Sequence, residues 1–281
     1  MTEANRIAFI GGGNMATSLV GGLVAGGHPP TAIVVAEPRE GARKALQQRF
    51  RVGTTADNAE AVQGADAVVL AVKPQVLEEV ATALAGALGE RPGPVVISIA
   101  AGLRSDDIER WLGGERPVVR AMPNTPALLG AGASALYANA RVDRRQQGIA
   151  AGILESAGIV VWLDDEARMN VVTALSGSGP AYFFLVMEAM QNAATECGLA
   201  PDTARRLCQQ TALGAARMAI ESGEDVSTLR ERVTSPGGTT ERGIEALESA
   251  GLRDAFREAI AAAAARAGEL AETLGGGGPQ T

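Results

Sequence analysis

The stretch Ile7-Ala-Phe-Ile-Gly11-Gly-Gly13-Asn-Met-Ala16 decides the fold at the start of the chain. A short apolar run leads directly into a GxGxxA pattern, which is typical of the first strand and helix of a dinucleotide-binding Rossmann domain. Gly11 permits the tight turn, Gly13 leaves room for a pyrophosphate, and Ala16 lets the helix pack closely on the strand. The N-terminus of that helix would offer free N–H groups and a positive dipole end to the phosphates.

A second strand-like run ends at Glu37, about 20 residues further on, where such domains place an acidic residue. Its carboxylate can accept hydrogen bonds from the adenosine ribose, which favours NADH, whereas Arg39 can pair with a 2′-phosphate, which favours NADPH. Because the two residues argue in opposite directions, the sequence favours use of both. Lys73 follows a later run at the expected carboxyl edge of the sheet, where it faces either the cofactor or solvent.

Short β-branched runs alternate with alanine-rich stretches from Arg6 to about Leu163, which predicts successive βαβ units and a parallel sheet. Several runs are apolar throughout, as expected when helices cover both faces of a sheet. The predicted strands are Ile7–Ile10, Ala32–Ala36, Ala67–Ala71, Val95–Ile99, Pro117–Ala121, Ala133–Tyr137 and Ile159–Trp162.

Strand signals stop after Asp164, and helical patterns replace them. The chain is therefore predicted to be of the α/β class, with a Rossmann-type sheet over residues 1–164 and an all-α oligomerisation domain over residues 165–274. Residues 275–281 are expected to be a disordered tail, since glycines and a proline offer nothing to bury. The predicted helices are Arg168–Leu175, Ala181–Cys197, Thr203–Ser222, Thr228–Val233, Glu241–Ser249 and Arg253–Leu274.

Composition argues against several other classes of protein. The net charge is -7 and the basic residues are scattered, so nucleic acid is not the expected partner. No signal-like N-terminus and no apolar run near the roughly 20 residues of a membrane span is found, which predicts a cytoplasmic protein without a membrane partner. Cys197 and Cys208 lack the spacing of metal ligands, and the single histidine, His28, lies in a loop-like stretch. We therefore expect no metal and no histidine base.

Two features of the helical half suggest contacts beyond its own core. Ala181–Cys197 and Ala259–Ala267 carry apolar or alanine positions around much of their circumference, which favours burial against another subunit. Two segments rich in glycine, serine and threonine, Ser176–Tyr182 and Thr234–Thr240, each precede a helix. Each either exposes backbone donors to an anion or simply caps its helix.

In order along the chain, the elements FIGGGNMA, AVKPQ, SIAAG, RAMPNTPA, LSGSGPAY and TSPGGTTERGIEALESAGLR closely resemble the pyrroline-5-carboxylate reductases. The resemblance runs from Ile7 to Leu274, and SGSGPAY and SPGGTT are its specific parts, since many dehydrogenases share the first motif. It implies hydride transfer from NADPH or NADH to the C=N carbon of 1-pyrroline-5-carboxylate, giving L-proline. It also implies a homodimer with interlocked helical domains, commonly assembled into a pentamer of dimers.

The resemblance also implies roles for individual positions. Thr240 is expected to be the catalytic residue, with its hydroxyl near the ring nitrogen, and Asn124 to lie beside the nicotinamide end of the site. The substrate carboxylate would bind to a loop made of Ser235, Gly237, Gly238, Thr239 and Thr240. The implied cofactor contacts are Ile10, Gly11, Gly12, Gly13, Asn14, Met15, Ala36, Glu37, Pro38, Arg39, Asn58, Ala71, Val72, Lys73, Pro74, Ile99, Ala100 and Ala101.

Two other functions compete with this one. Dehydrogenases of the β-hydroxyacid or 6-phosphogluconate kind also join a Rossmann domain to helices, but they usually employ a catalytic lysine on the helical domain. The lysines of this chain, Lys44 and Lys73, both lie in the N-terminal half. A non-enzymatic dinucleotide sensor would need no substrate loop, and the SPGGTT segment argues against it.

Overall fold

An eight-stranded sheet forms most of the N-terminal half in the computed structural model, which describes residues 4–90 and 92–276. From one edge to the other, its strands lie in the order β3-β2-β1-β4-β5-β6-β7-β8. The strands are β1 (Ile7–Ile10), β2 (Ile33–Ala36), β3 (Gly53–Thr55), β4 (Ala67–Leu70), β5 (Val95–Ser98), β6 (Val118–Met122), β7 (Gly132–Ala138) and β8 (Gly158–Trp162).

Strand β1 is an interior strand, between β2 and β4, and its side chains are apolar on both faces. Ile7 and Phe9 pack into one buried cluster, whereas Ala8 and Ile10 pack into a second cluster on the opposite face. The side chains divide in this way because successive residues of a strand point to opposite faces of the sheet. Full burial of a large apolar side chain contributes roughly 1.5–3 kcal/mol to the stability of the fold. The chain reverses its direction of winding between β1 and β4, and the carboxyl ends of strands at such a point form a ligand crevice.

Helices join the strands and then form the rest of the chain. Those of the sheet region are α1 (Asn14–Ala25), α2 (Glu40–Phe50), α3 (Asn58–Ala61), α4 (Pro74–Leu84), α5 (Ser105–Trp111) and α6 (Arg144–Glu155). The later ones are α7 (Met169–Val172), α8 (Gly179–Glu196), α9 (Pro201–Glu221), α10 (Val226–Arg232), α11 (Thr239–Ser249) and α12 (Leu252–Leu274). The prediction of strands followed by helices alone is confirmed.

The predicted parallel sheet contains one antiparallel pair. β6 and β7 run antiparallel, with Arg120 opposite Tyr137. The connecting residues 123–131 contain a 3₁₀ turn, Thr125–Leu129, and no α-helix. A parallel return requires a crossover of a dozen or more residues, so this short connection can only make an antiparallel neighbour.

The described chain divides into two compact units. One contains the residues up to Ser178 together with those from Ala261 onward, and the other is Gly179–Ile260. Within the first unit, Arg110 donates a hydrogen bond of 2.9 Å to the carbonyl of Gly275, just beyond the end of α12. The domain limits at 164 and 274 stay predictions, and residues 277–281 of the expected disordered tail lie outside the described residues.

Helix α8 carries a large exposed apolar surface. Phe183, Phe184 and Leu185 are each more than 60% exposed. By length and composition, one segment among the described residues, Glu166–Glu196, is long and apolar enough to cross a membrane, and 17% of its most apolar window is buried within the chain. A surface of this kind marks contact with another protein or with lipid.

Candidate active site

The Gly-rich turn between β1 and α1 has the geometry that its sequence predicts. Gly11 has a φ of +101°, and a Cβ atom there would lie 2.7 Å from the carbonyl oxygen of Ala71. Its N–H donates to the carbonyl of Ala36 at 2.8 Å, so the turn is fixed to the end of β2. Only glycine suits this position, because a side chain would meet both a strained backbone and a neighbouring strand end.

Open space lies at the start of α1. Gly13 is the N-cap of the helix in an extended conformation, and no side chain caps the helix there. A Cβ atom at Gly13 would meet no described atom within 4 Å. The first N–H groups of an α-helix have no partner inside the helix, so this end fits an anionic group such as the pyrophosphate of a dinucleotide.

The Glu37 carboxylate binds the same turn from the side of β2. It is 5% exposed. Its Oε2 accepts a hydrogen bond from the N–H of Gly12 at 3.0 Å, and its Oε1 accepts from Nε and N of Arg39 at 2.7 and 3.1 Å. Burial by itself would raise the pKa of Glu37, but the hydrogen bonds from Arg39 and Gly12 outweigh it and hold this pKa below its ordinary value. Glu37 is therefore a structural part of the turn as well as a predicted ribose acceptor.

Two arginines surround the segment from Glu37 to Arg39. The side chain of Arg39 is 72% exposed, so its guanidinium can leave Glu37 without opening the core. Arg43 donates to the carbonyl oxygens of Glu37 and Pro38, both at 2.7 Å. The backbone is thus held by Arg43, while Arg39 remains the movable cation at this end of the site.

The other predicted cofactor residues follow the carboxyl ends of neighbouring strands. The N–H of Ala71 donates to the carbonyl of Ile10 at 2.8 Å, and that of Ile99 donates to Leu70 at 3.2 Å. Lys73 is the exposed N-cap residue of α4, and Asn58 begins α3. The structure therefore brings the cofactor positions predicted after β1, β4 and β5 to one edge of the sheet, although contact of each with a cofactor stays a prediction.

Asn124 is a buried residue of the first unit whose side chain forms hydrogen bonds to two other segments. Its Nδ2 donates to the carbonyl of Ser176 at 3.0 Å, and its Oδ1 accepts from the N–H of Ala133 at 2.9 Å. The side-chain amide thus joins the loop after β6, the start of β7 and the SGSG segment. A contact between Asn124 and a substrate stays a prediction.

The SGSG segment does not form an open helix start, contrary to one of the two interpretations of its sequence. Residues Thr173–Gly177 form a π-helical turn that continues into α8, and the N–H of Ser178 donates to Thr173 at 2.8 Å. A Cβ atom at Gly177 would lie 2.5 Å from the methyl group of Met122, so glycine permits this close approach. The N–H of Ser178 is therefore already paired within the helical turn. Such π-turns often occur at functional sites.

The SPGGTT loop, in the second unit, does form an open helix start. Gly237 has a φ of +73°, and Gly238 is an extended N-cap without a capping side chain. Thr239 and Thr240 are the first two residues of α11 and are exposed. Their N–H groups precede the first intrahelical hydrogen bonds, so the loop can present donors to a carboxylate.

The sequence interpretation missed three charged groups, Glu241, Glu166 and Arg120. Glu241 accepts a hydrogen bond from the N–H of Gly237 at 2.8 Å. In the first unit, the carboxylate of Glu166 accepts from the N–H and hydroxyl of Ser105, both at 2.7 Å, and from buried Arg120 at 3.3 Å. Burial lowers the pKa of Arg120, and Glu166 partly offsets this effect. The sequence signal for Arg120 was a charged residue inside an otherwise apolar strand. No local sequence pattern indicated that Glu241 would accept a hydrogen bond from Gly237.

Two family models match separate parts of the chain. Residues 6–102 match the model described as NADP oxidoreductase, coenzyme F420-dependent, and residues 166–270 match pyrroline-5-carboxylate reductase dimerisation. The second match includes the whole of the apolar segment Glu166–Glu196.

Relatives match over almost the whole length. The chain is 52% identical over 270 residues to a pyrroline-5-carboxylate reductase of Pseudomonas aeruginosa, covering 96% of this chain and 98% of that protein. It is 37% identical to one of Arabidopsis thaliana, covering 96% and 97%.

Solved structures agree with these relatives. A pyrroline-5-carboxylate reductase from Coxiella burnetii superposes with a TM-score of 0.92 at 47% identity, covering 95% of this chain and 99% of that one. The Plasmodium falciparum pyrroline carboxylate reductase, solved with NADP bound, gives a TM-score of 0.84 at 28% identity, covering 96% and 100%. The predicted resemblance and fold class are thereby confirmed, and the chain belongs to the pyrroline-5-carboxylate reductase family.

Proposed function

We infer that this chain reduces 1-pyrroline-5-carboxylate to L-proline, the last step of proline biosynthesis, with NADPH or NADH as the reductant. The observation that carries this function is the 52% identity to a pyrroline-5-carboxylate reductase over 96% of the chain. The open Gly-rich turn before α1 supports the same activity, because it fits a dinucleotide. The relatives do not favour a β-hydroxyacid dehydrogenase or a dinucleotide sensor.

The residues around β1 fit the cofactor. Gly11–Gly13 and the N-terminus of α1 would hold the pyrophosphate, and Glu37 with Arg39 would bind the adenosine ribose or its 2′-phosphate. The segments after β4 and β5, Ala71–Pro74 and Ile99–Ala101, would line the site toward the nicotinamide. When bound, the reduced nicotinamide supplies the hydride.

The substrate carboxylate is assigned to the SPGGTT loop. The N–H groups of Gly237, Thr239 and Thr240 lie at the start of α11, where the helix dipole favours an anion. Holding the carboxylate fixes the ring and thereby orients the C=N bond for hydride transfer. This assignment explains why the loop is rich in glycine and why Gly237 takes a positive φ.

Thr240 is assigned an orienting role toward the ring nitrogen. A protonated imine is already electrophilic, so the protein needs neither a strong base nor a metal to activate it. The Thr240 hydroxyl can donate a hydrogen bond to the nitrogen and relay a proton from water, although it is too weak an acid to be the sole proton source. Asn124, held by its hydrogen bonds to Ser176 and Ala133, is proposed to lie beside the nicotinamide.

The chain forms an oligomer through its dimerisation segment, residues 166–270. The exposed apolar side chains of α8 fit burial in a homodimer, which also accounts for the membrane-like composition of Glu166–Glu196 without a lipid partner. We further propose that dimers assemble into a decamer, as a pentamer of dimers. Light scattering tests both levels: a monomeric mass would contradict the dimer, and a dimeric mass would contradict the decamer.

The cytoplasm is the proposed location. Cys197 and Cys208 are both free thiols, which suits a reducing compartment. Fractionation of cells that express the chain tests this, and recovery in the membrane or an exported fraction would contradict it.

The activity is tested by following the absorbance of NADPH and of NADH in the presence of 1-pyrroline-5-carboxylate. We expect substrate-dependent oxidation of both cofactors, with L-proline as the product. Cofactor binding without turnover would favour the sensor, and turnover of a β-hydroxyacid alone would favour the other dehydrogenases.

A further inference from the structure

A carboxylate of the chain itself already lies in the loop assigned to the substrate carboxylate. Oε2 of Glu241 accepts the hydrogen bond of the Gly237 N–H at 2.8 Å. The loop therefore already binds a carboxylate that belongs to the chain itself.

The contact lies one residue earlier than in a common capping box. Glu241 is the third residue of α11, and such a residue usually accepts from the N–H of the N-cap, here Gly238. The N–H of Gly238 is instead donated to the carbonyl of Ser235 at 2.9 Å. The positive φ of Gly237 directs its N–H toward the helix, and Glu241 takes it.

The carboxylates of Glu241 and of a bound substrate would compete for the N–H of Gly237. Glu241 is the acidic residue of the first turn of α11, so its charge already lies at the positive end of the helix dipole. A second carboxylate on the N–H groups of Thr239 and Thr240 would lose the Gly237 N–H to Glu241 and would be repelled by the charge of Glu241. The substrate can gain this donor only if the Glu241 side chain moves away. Glu241 is half-buried, but its hydrogen bond to Gly237 is exposed to solvent, so the side chain can leave it.

We propose that Glu241 is an internal placeholder for the substrate carboxylate, bound to Gly237 in the free enzyme and displaced when the substrate binds. This inference rests on the proposed role of the SPGGTT loop. By keeping the loop in its ligand-bound shape, Glu241 lowers the affinity for substrate and for product alike. It thereby sets KM without taking part in hydride transfer.

The test compares Glu241→Ala and Glu241→Gln with Glu245→Ala. The Glu245→Ala substitution removes the same charge from the same helix. In the wild type, however, Glu245 pairs with Arg242 at 2.7 Å and does not contact the loop through that bond. For Glu241→Ala we expect KM for 1-pyrroline-5-carboxylate to fall about two- to fivefold while kcat does not rise. Glu241→Gln, which keeps an acceptor without the charge, should give a smaller fall. Glu245→Ala should leave KM unchanged.

Assays with 1-pyrroline, the same imine without its carboxylate, separate the inference from the proposed function. Gly237→Ala should reduce kcat/KM for 1-pyrroline-5-carboxylate far more than for 1-pyrroline. If it reduces both equally, the carboxylate site itself is wrong. A second outcome is that Gly237→Ala affects 1-pyrroline-5-carboxylate more than 1-pyrroline, as expected, while KM is unchanged or raised in Glu241→Ala and Glu241→Gln. That result would overturn the placeholder role of Glu241 and leave the carboxylate site in place. Thermal unfolding of each variant confirms that it is folded.

Discussion

The carboxylate of Glu37 accepts the N–H of Gly12 at 3.0 Å and so ties the end of β2 to the Gly-rich turn. The same carboxylate accepts Nε of Arg39 at 2.7 Å. One buried acid thus shapes the phosphate-binding turn and restrains the cation nearest the predicted 2′-phosphate position. Cofactor choice, turn geometry and stability are coupled at this residue.

Arg39→Ala is expected to separate the two cofactors. Removing the guanidinium deletes a charge-assisted contact to a 2′-phosphate, so KM for NADPH should rise about tenfold or more. KM for NADH should stay the same or fall, because Glu37 is released to accept ribose hydroxyls. Steady-state kinetics with each cofactor measure this ratio, and Lys44→Ala is the control, since Lys44 pairs with Glu40 on the exposed side of α2. Equal changes for both cofactors would contradict the role of Arg39.

Glu37 should also make stability depend on pH. Its pKa is lower in the folded protein than the ordinary value of 4.5, so the charged form stabilises the fold. This contribution is fully present above the unfolded pKa and is lost as the pH falls through the folded pKa. Unfolding by denaturant should therefore show the largest difference between wild type and Glu37→Gln near neutral pH. The difference should shrink below pH 4.5. A difference that grows toward acid would contradict the direction of the shift.

Gly11 and Gly13 are expected to respond differently to the same substitution. Gly11→Ala forces a side chain into a φ of +101° and against the Ala71 carbonyl, so it should cost about 1–3 kcal/mol of unfolding free energy. Gly13→Ala meets no described atom within 4 Å and should leave stability nearly unchanged while weakening cofactor binding. Thermal unfolding and cofactor titration by fluorescence distinguish the two. Unaltered cofactor affinity in Gly13→Ala would show that the pyrophosphate lies elsewhere.

Thr240→Ala should lower kcat markedly, because the hydroxyl that orients the ring nitrogen is lost. Cofactor affinity should stay nearly the same, since Gly11–Gly13 and Glu37 hold the cofactor. Thr240→Ser retains a hydroxyl and should recover much of the rate. An unchanged kcat in Thr240→Ala would show that the Thr240 hydroxyl takes no part in the reaction.

The sequence predicts the sheet well where strands are buried on both faces, as in β1 and β4, because their apolar runs admit few other structures. β3 escapes prediction since Gly53–Thr55 is three residues long and carries no apolar pattern. The antiparallel direction of β7 depends on the length of the connection before it, which a propensity pattern does not encode. At the site, the roles of Glu241 and Asn124 come from contacts that local sequence does not specify, whereas the Gly11–Gly13 turn is predictable because its backbone requires glycine.

Hydride transfer to the imine carbon of 1-pyrroline-5-carboxylate can be followed with NADPH and NADH deuterated at the transferred position. The product is analysed by mass spectrometry and NMR. We expect L-proline with a single deuterium on the δ carbon, the ring carbon beside nitrogen that does not bear the carboxylate. Unlabelled proline, a label on another carbon, or no proline at all would contradict it.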